Sequence, residues 1–307
     1  MALTYDQVSG LTHQLINESS ADNIYDSNTL LRHLQSKGQV VEEGGIHIQL
    51  PIMYAKVGAA GTFKKYGLLD TTPNDTETAA KYLWKYNYGH VIVSKTELWE
   101  NSGKSQAVNL LKQKTKNCLA AVRDNIGTQI FSTNDDNAEG VNGLRNTIDA
   151  TGTVGGIAQS DFAGWASDED AATAAMTVTA LEQAILDASI GSDEPDLMVG
   201  TKAIWKSVFL LAEADQRFGP GDTYKMGGKY LLFSGIPIVH DSHCPAQFLF
   251  GINSRWMYWY VHSQANFSME KIGPSPAQAV HIDRVYSGNN LCLDNRRMFF
   301  KFTALTS

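Results

Sequence analysis

The sequence predicts a mixed α+β protein organised around one long helix and a protruding two-stranded ribbon, and three observations carry that reading. Ile46, Ile48, Leu50 and Ile52 alternate with other residues, and Tyr82, Trp84, Tyr86 and Tyr88 alternate on the return. From 102 to 131, apolar residues recur at helical spacing. After Pro195, short strand-like runs surround a single helix-like run.

Residues 1–41 are mixed and polar. They form an arm with one short helix candidate over 5–17, where Val8, Leu11, Leu15 and Ile16 keep helical spacing. Gly44-Gly45 opens the ribbon, Gly58-Ala59-Ala60-Gly61 supplies its tip, and Val91-Ile92-Val93 closes it. Two strands alone are marginal in water, so something must cover their apolar face. Pattern leaves two covers open, the chain's own domain or another subunit.

The 102–131 helix places Val108, Leu111, Cys118, Leu119, Val122, Ile126 and Ile130 on one stripe, with Lys112, Lys116 and Arg123 off it. At 1.5 Å per residue it spans about 45 Å, long enough to be a spine for other elements. A polar loop over 134–142 and glycines at 152, 155 and 156 lead to Trp165, the expected domain boundary. Asp168 is the expected N-cap of an alanine-rich helix running to Ser189, with Met176, Leu181, Ile185 and Ala188 inward. A strand over 197–199 and a helix over 202–214 capped by Thr201 come next, then strands over 230–233, 236–239, 248–251 and 256–262. The tail reads as a strand over 280–286 that turns at Gly288-Asn289 into 291–293, and a last strand over 298–302. The spine helix is the natural partner for these return strands.

The 307 residues are 43% hydrophobic, enough for a sizeable core, and carry a net charge of -7. That balance argues against a protein that grips phosphate backbones through clustered Lys and Arg. The first ten residues show no signal-peptide pattern, and no apolar run is long enough to span a membrane. Three cysteines, Cys118, Cys244 and Cys292, lie too far apart for a metal knuckle or disulfide framework.

No catalytic motif survives inspection. Gly103-Lys104-Ser105 lacks the earlier glycine of a phosphate-binding loop, since Leu98 holds that position. His240-Asp241-Ser242-His243-Cys244 gathers zinc-ligand types, but Pro245 follows and a polar turn explains the segment more simply. The aromatic run at Trp256, Tyr258, Trp259 and Tyr260 reads as a buried strand, with only Arg255 as a basic neighbour. The expectation is a protein with no enzymatic activity, cofactor or metal.

Several stretches stand in a telling order: Gly44-Gly45; Pro51-Ile52-Met53-Tyr54; Tyr66-Gly67-Leu68-Leu69-Asp70-Thr71-Thr72-Pro73; Ala80-Lys81-Tyr82-Leu83-Trp84-Lys85. This run resembles the extended loop of tailed-phage major capsid proteins of the Hong Kong 97 type. The resemblance continues through Val91-Ile92-Val93-Ser94, Asn101-Ser102-Gly103-Lys104, Gly152-Thr153-Val154-Gly155-Gly156-Ile157, Trp165, Pro195-Asp196-Leu197 and Arg217-Phe218, covering about residues 40–262 in order.

The resemblance implies an N-arm over 1–41, an extended E-loop over 42–93, a peripheral domain with the spine helix over 94–166, an axial domain over 167–262, and peripheral return strands over 263–307. It implies a structural subunit that assembles with copies of itself as pentamers and hexamers into an icosahedral head, within the virion, after assembly in the host cytoplasm. Packaged double-stranded DNA would be enclosed without sequence-specific binding. Portal protein, and separate scaffolding or decoration proteins, are the implied partners, and no membrane is involved. A protein nanocompartment of the encapsulin type is the alternative within this fold, and a soluble metal-dependent enzyme the alternative outside it. Ile52, Tyr54, Phe63, Lys64, Lys65, Tyr66 and Trp84 are the expected inter-subunit contacts on the E-loop. Gly44-Gly45 and Gly89 are expected as its hinges.

Overall fold

The computed structural model describes residues 28–53, 61–69, 72, 75–100, 104–171, 175–215, 231–274 and 278–306. The helix expected over 5–17 lies outside them. The chain runs α1 (Thr29–Ser36), β1 (Val40–Glu43), β2 (His47–Met53), β3 (Glu77–Leu83), β4 (Lys85–Ser94), α2 (Lys95–Glu100) and the spine α3 (Lys104–Ile130). Then come α4 (Leu144–Thr147), β5 (Thr153–Val154), β6 (Ile157–Ala158), β7 (Asp168–Asp170), α5 (Val178–Asp187), β8 (Leu197–Gly200) and α6 (Lys202–Asp215). Last are β9 (Leu231–Phe233), β10 (Ile236–His240), β11 (Leu249–Ile252), β12 (Met257–His262), β13 (Ser268–Pro274), β14 (Val280–Leu293) and β15 (Phe300–Phe302).

Two sheets organise the molecule. The first follows the order β1-β12-β14-β13, with β4 also paired to β14. Tyr286 faces Ser268 of β13 and Tyr88 of β4, so β13 and β4 occupy opposite edges of β14. The spine lies across this sheet, where Leu119, Val122, Ile126 and Ile130 share a core with Trp259, Val285, Leu291 and Leu293. Gly89 makes the approach possible. A Cβ there would sit 2.6 Å from Cys118 Sγ and 2.7 Å from Val122 Cγ2, closer than packed atoms allow. Gly89 is therefore a packing glycine in mid-strand rather than the hinge the sequence suggested.

The second sheet follows the order β7-β15-β11-β8-β10-β9 and is covered by α5 and α6, through Leu181, Ile185, Ile204 and Val208 against Met198, Ile238, Leu249 and Phe300. Of the aromatic run, Trp259 is 1% exposed and Tyr260 7%, while Trp256, in the turn before β12, and Tyr258 are partly buried against the core.

Three local expectations are corrected. Asp168 begins a strand, not a helix: β7 pairs in parallel with β15, and Lys301 Nζ, buried between them, meets Glu169 at 3.3 Å and Asp149 at 2.7 Å. The helix starts ten residues later, with Thr177 Oγ1 accepting from the Ala180 amide at 3.2 Å. Gly288-Asn289 is not a turn, because β14 runs unbroken through both residues. Buried Asn290 ties the strand to distant backbone instead, accepting from the Asn142 amide at 3.0 Å and donating to Leu83 O at 2.8 Å. Finally, β12 sits in the first sheet and β15 in the second, so the chain crosses between the sheets more often than a division at residue 262 suggests.

Candidate assembly surface

The ribbon consists of β2 and β3, paired antiparallel from His47 opposite Leu83 to Met53 opposite Glu77. Alternation sends Ile48, Leu50, Ile52, Ala80 and Tyr82 to one face, and that face is buried on the chain's own Val154, Ile157, Trp165 and Tyr260. Polar bonds fix the base. Lys81 N–H donates to Gly155 O at 2.8 Å, and Tyr82 Oη donates to Leu293 O at 2.8 Å. Lys85 Nζ donates to Asp136 O at 2.8 Å and also to Ala138 O. Burial lowers the Lys85 pKa and raises that of Asp136.

The ribbon's inward face is thus covered by its own domain, and two of the expected inter-subunit contacts lie on that side. Ile52 and Trp84 are each 7% exposed within a single chain, because the period-2 pattern points both side chains at the β5–β6 hairpin side. Tyr54 lies outside the described residues. Phe63, Lys64, Lys65 and Tyr66 do project into solvent on the loop beyond the ribbon, Phe63 at 69% and Tyr66 at 91% exposure. Lys65 Nζ stands 5.6 Å from the Tyr66 ring centroid.

Sequence reasoning missed several exposed apolar side chains. Leu68 and Leu69 extend the loop patch, and Met53 and Ile46 lie bare at the ribbon's end and base. Tyr86 and Tyr88 lie bare on β4. Their signal was available in the alternation of Tyr82, Trp84, Tyr86 and Tyr88. All four share one parity, but the chain passes from one sheet to another at Trp84, which turns the first pair inward and the second outward. Beside Tyr86 and Tyr88 a groove of about 690 Å³ runs between β4 and the spine, lined also by Asn87, Asn125, Gln129 and Glu139.

The histidine-rich turn has a structural job. His243 bridges two carboxylates, Nδ1 to Asp241 Oδ1 and Nε2 to Asp124 Oδ1 of the spine, both at 3.0 Å. Asp241 Oδ2 also accepts the Thr29 amide of α1 at 3.2 Å. Burial opposes the His243 charge, yet the bonds to Asp124 and Asp241 outweigh it and raise the pKa. Cys244 is buried, and its thiol is pushed up to about 12. Among the described residues no group of three or more His, Cys, Asp or Glu is placed to hold a metal ion. No described helix is long and apolar enough to cross a membrane.

No protein-family model matches the chain, and no curated protein matches it. Solved structures do. The chain is similar to the cyanophage A-1(L) capsid at 17% identity and a TM-score of 0.69, over 88% of this chain and 91% of that one. It is similar to the capsid of a native GTA particle at 12% identity and a TM-score of 0.64, over 89% and 90%. The chain has the Hong Kong 97-type capsid fold. The same fold appears in the holo-SrpI encapsulin complex of Synechococcus elongatus PCC 7942, at 11% identity and a lower TM-score of 0.56, over 87% and 85%.

Proposed function

We propose that this chain is the major capsid protein of a tailed bacteriophage, a structural subunit that assembles as pentamers and hexamers into an icosahedral shell around double-stranded DNA. The carrying observation is the loop at 61–69: every residue in it is exposed, including Phe63, Tyr66, Leu68 and Leu69, on a fold whose neighbours are assembled shells. An apolar patch held away from its own core is an interaction surface. Rings of five or six subunits are the closed form of head-to-tail contacts. A nanocompartment shell is the second reading, favoured by the encapsulin likeness but ranked lower by its weaker superposition.

The test is particle formation. Purified protein viewed by negative-stain microscopy and analytical ultracentrifugation should give megadalton shells, or pentamers and hexamers on the way to them. A stable monomer at all concentrations would overturn the proposal. Shells from infected cells that hold protein cargo and no DNA would select the nanocompartment.

A further inference from the structure

We propose that the spine flank bearing Lys112, Lys116 and Arg123 meets the phosphate backbone of the enclosed double-stranded DNA, an inference that rests on the shell reading and names its inner contact. The net charge of -7 hides an uneven distribution. Residues 101–123 hold five of the chain's 25 basic residues, Lys104, Lys112, Lys114, Lys116 and Arg123, and none of its 32 acidic ones. At about 100° per helical residue, Lys112, Lys116 and Arg123 fall within about 40° of the circumference of α3, a single stripe about 17 Å long. Lys114 lies off that stripe, held on the β4 side by Glu97 at 2.6 Å and Ile92 O at 3.1 Å.

The three cations of the stripe are unanswered. Lys112 and Lys116 are exposed, and none of the three has a hydrogen bond or ion pair with a described residue. An exposed lysine by itself is a solvated charge. Arg123 is different, because it is half-buried and its Nε is buried with no acceptor. Burial lowers its pKa, and no carboxylate is set against that cost. A guanidinium in this state calls for an anion, and a phosphate accepts two of its N–H groups at once.

Charge selects the partner. Duplex DNA carries about one negative charge per 1.7 Å of axis, so a stripe of this length runs beside several phosphates. Outside 101–123 the chain has 32 acidic residues against 20 basic ones, and a wall of that composition repels a polyanion pressed on it. The spine flank is a face on which DNA rests without that repulsion. Contacts to phosphate carry no sequence information, in keeping with a container for any packaged sequence. Three of them per subunit steady the duplex without gripping it.

Lysine footprinting of unmodified protein tests the contact. DNA-filled heads, and the same heads emptied of DNA, are treated with a small acetylating ester and each lysine is read by mass spectrometry. Lys112 and Lys116 should react at least about threefold more slowly in filled heads, while Lys64 and Lys65 of the loop react equally in both. Binding tests the charge. A duplex of about 20 base pairs should bind dissociated subunits with affinity falling as about the third power of salt concentration. Lys112→Gln with Lys116→Gln should reduce that power to about one while empty shells still form at native yield, and Lys112→Arg with Lys116→Arg should keep it. Equal labelling in filled and emptied heads, or an unchanged salt dependence in the glutamine variant, would overturn the proposal and leave the shell reading standing. Slow labelling in both kinds of head but not in dissociated subunits would mean that a neighbouring copy covers the stripe, and overturns the choice of DNA. Particles that never contain DNA would sink the reading of a shell around DNA itself.

Discussion

Tyr82 and Leu293 hold each other twice: Tyr82 Oη donates to Leu293 O at 2.8 Å and accepts Leu293 N–H at 3.3 Å. A side chain thus stands where a neighbouring strand would, and it ties the base of the ribbon to the end of β14. Both residues are fully buried, and burial drives the Tyr82 pKa well above its ordinary value. Tyr82→Phe keeps the ring but strands two buried backbone groups. The expected loss is about 1–3 kcal/mol in urea unfolding of the dissociated subunit. A change below about 0.5 kcal/mol would show that the pair is not an anchor.

Arg296 is 0% exposed and donates to four carbonyls, those of Thr147, Asp149, Thr151 and Trp165, at 2.8–3.1 Å. It clamps the loop that carries the β5–β6 hairpin, and that hairpin supports the ribbon. Arg296→Met should cost at least about 3 kcal/mol, read as lost soluble expression or a lowered melting temperature. Arg296→Lys should recover only part, since an ammonium cannot span the four acceptors in the guanidinium plane.

His243 makes the subunit sensitive to alkali. Both ring nitrogens face carboxylate oxygens, and only the imidazolium donates from both. Because its folded pKa is raised, its contribution is complete below the ordinary histidine value near 6.5 and fades as pH rises through the higher folded value. Melting temperature between about pH 6 and 9 should fall more steeply for the native protein than for His243→Gln. Equal slopes would contradict this.

Leu68→Asp and Tyr66→Glu should separate folding from assembly. Leu68 is 101% exposed and Tyr66 91%, so either change should alter subunit stability by less than about 0.5 kcal/mol. Particle yield by sedimentation should nevertheless collapse. Intact particles at native yield would remove the loop from the assembly surface.

Much of this architecture was legible in the residues. The alternation of Ile48, Leu50 and Ile52 gave a one-faced strand, the apolar stripe from Leu119 to Ile130 gave the spine, and Thr201 marked a helix start. What pattern could not supply was the identity of distant partners. Residues 168–170 look like a cap before a helix until Lys301 and β15 are brought beside them. Gly288-Asn289 looks like a turn until β4, β12 and β13 line both edges of the strand. The ribbon's cover was open for the same reason, since Val154, Ile157 and Trp165 lie far away in sequence. Of the expected contacts, Ile52 and Trp84 are buried within the chain, and Phe63, Lys64, Lys65 and Tyr66 on the irregular loop are exposed.

The placement of β15 between β7 and β11 in the second sheet also orders events in folding. β11 can pair with β8 without it, but β7 joins the second sheet only through residues 300–302. The Arg296 clamp under the ribbon waits on the same stretch of chain. Fixing the ribbon base is therefore a late, long-range step of folding, because Arg296 must meet the Thr147 carbonyl 149 residues earlier in the chain.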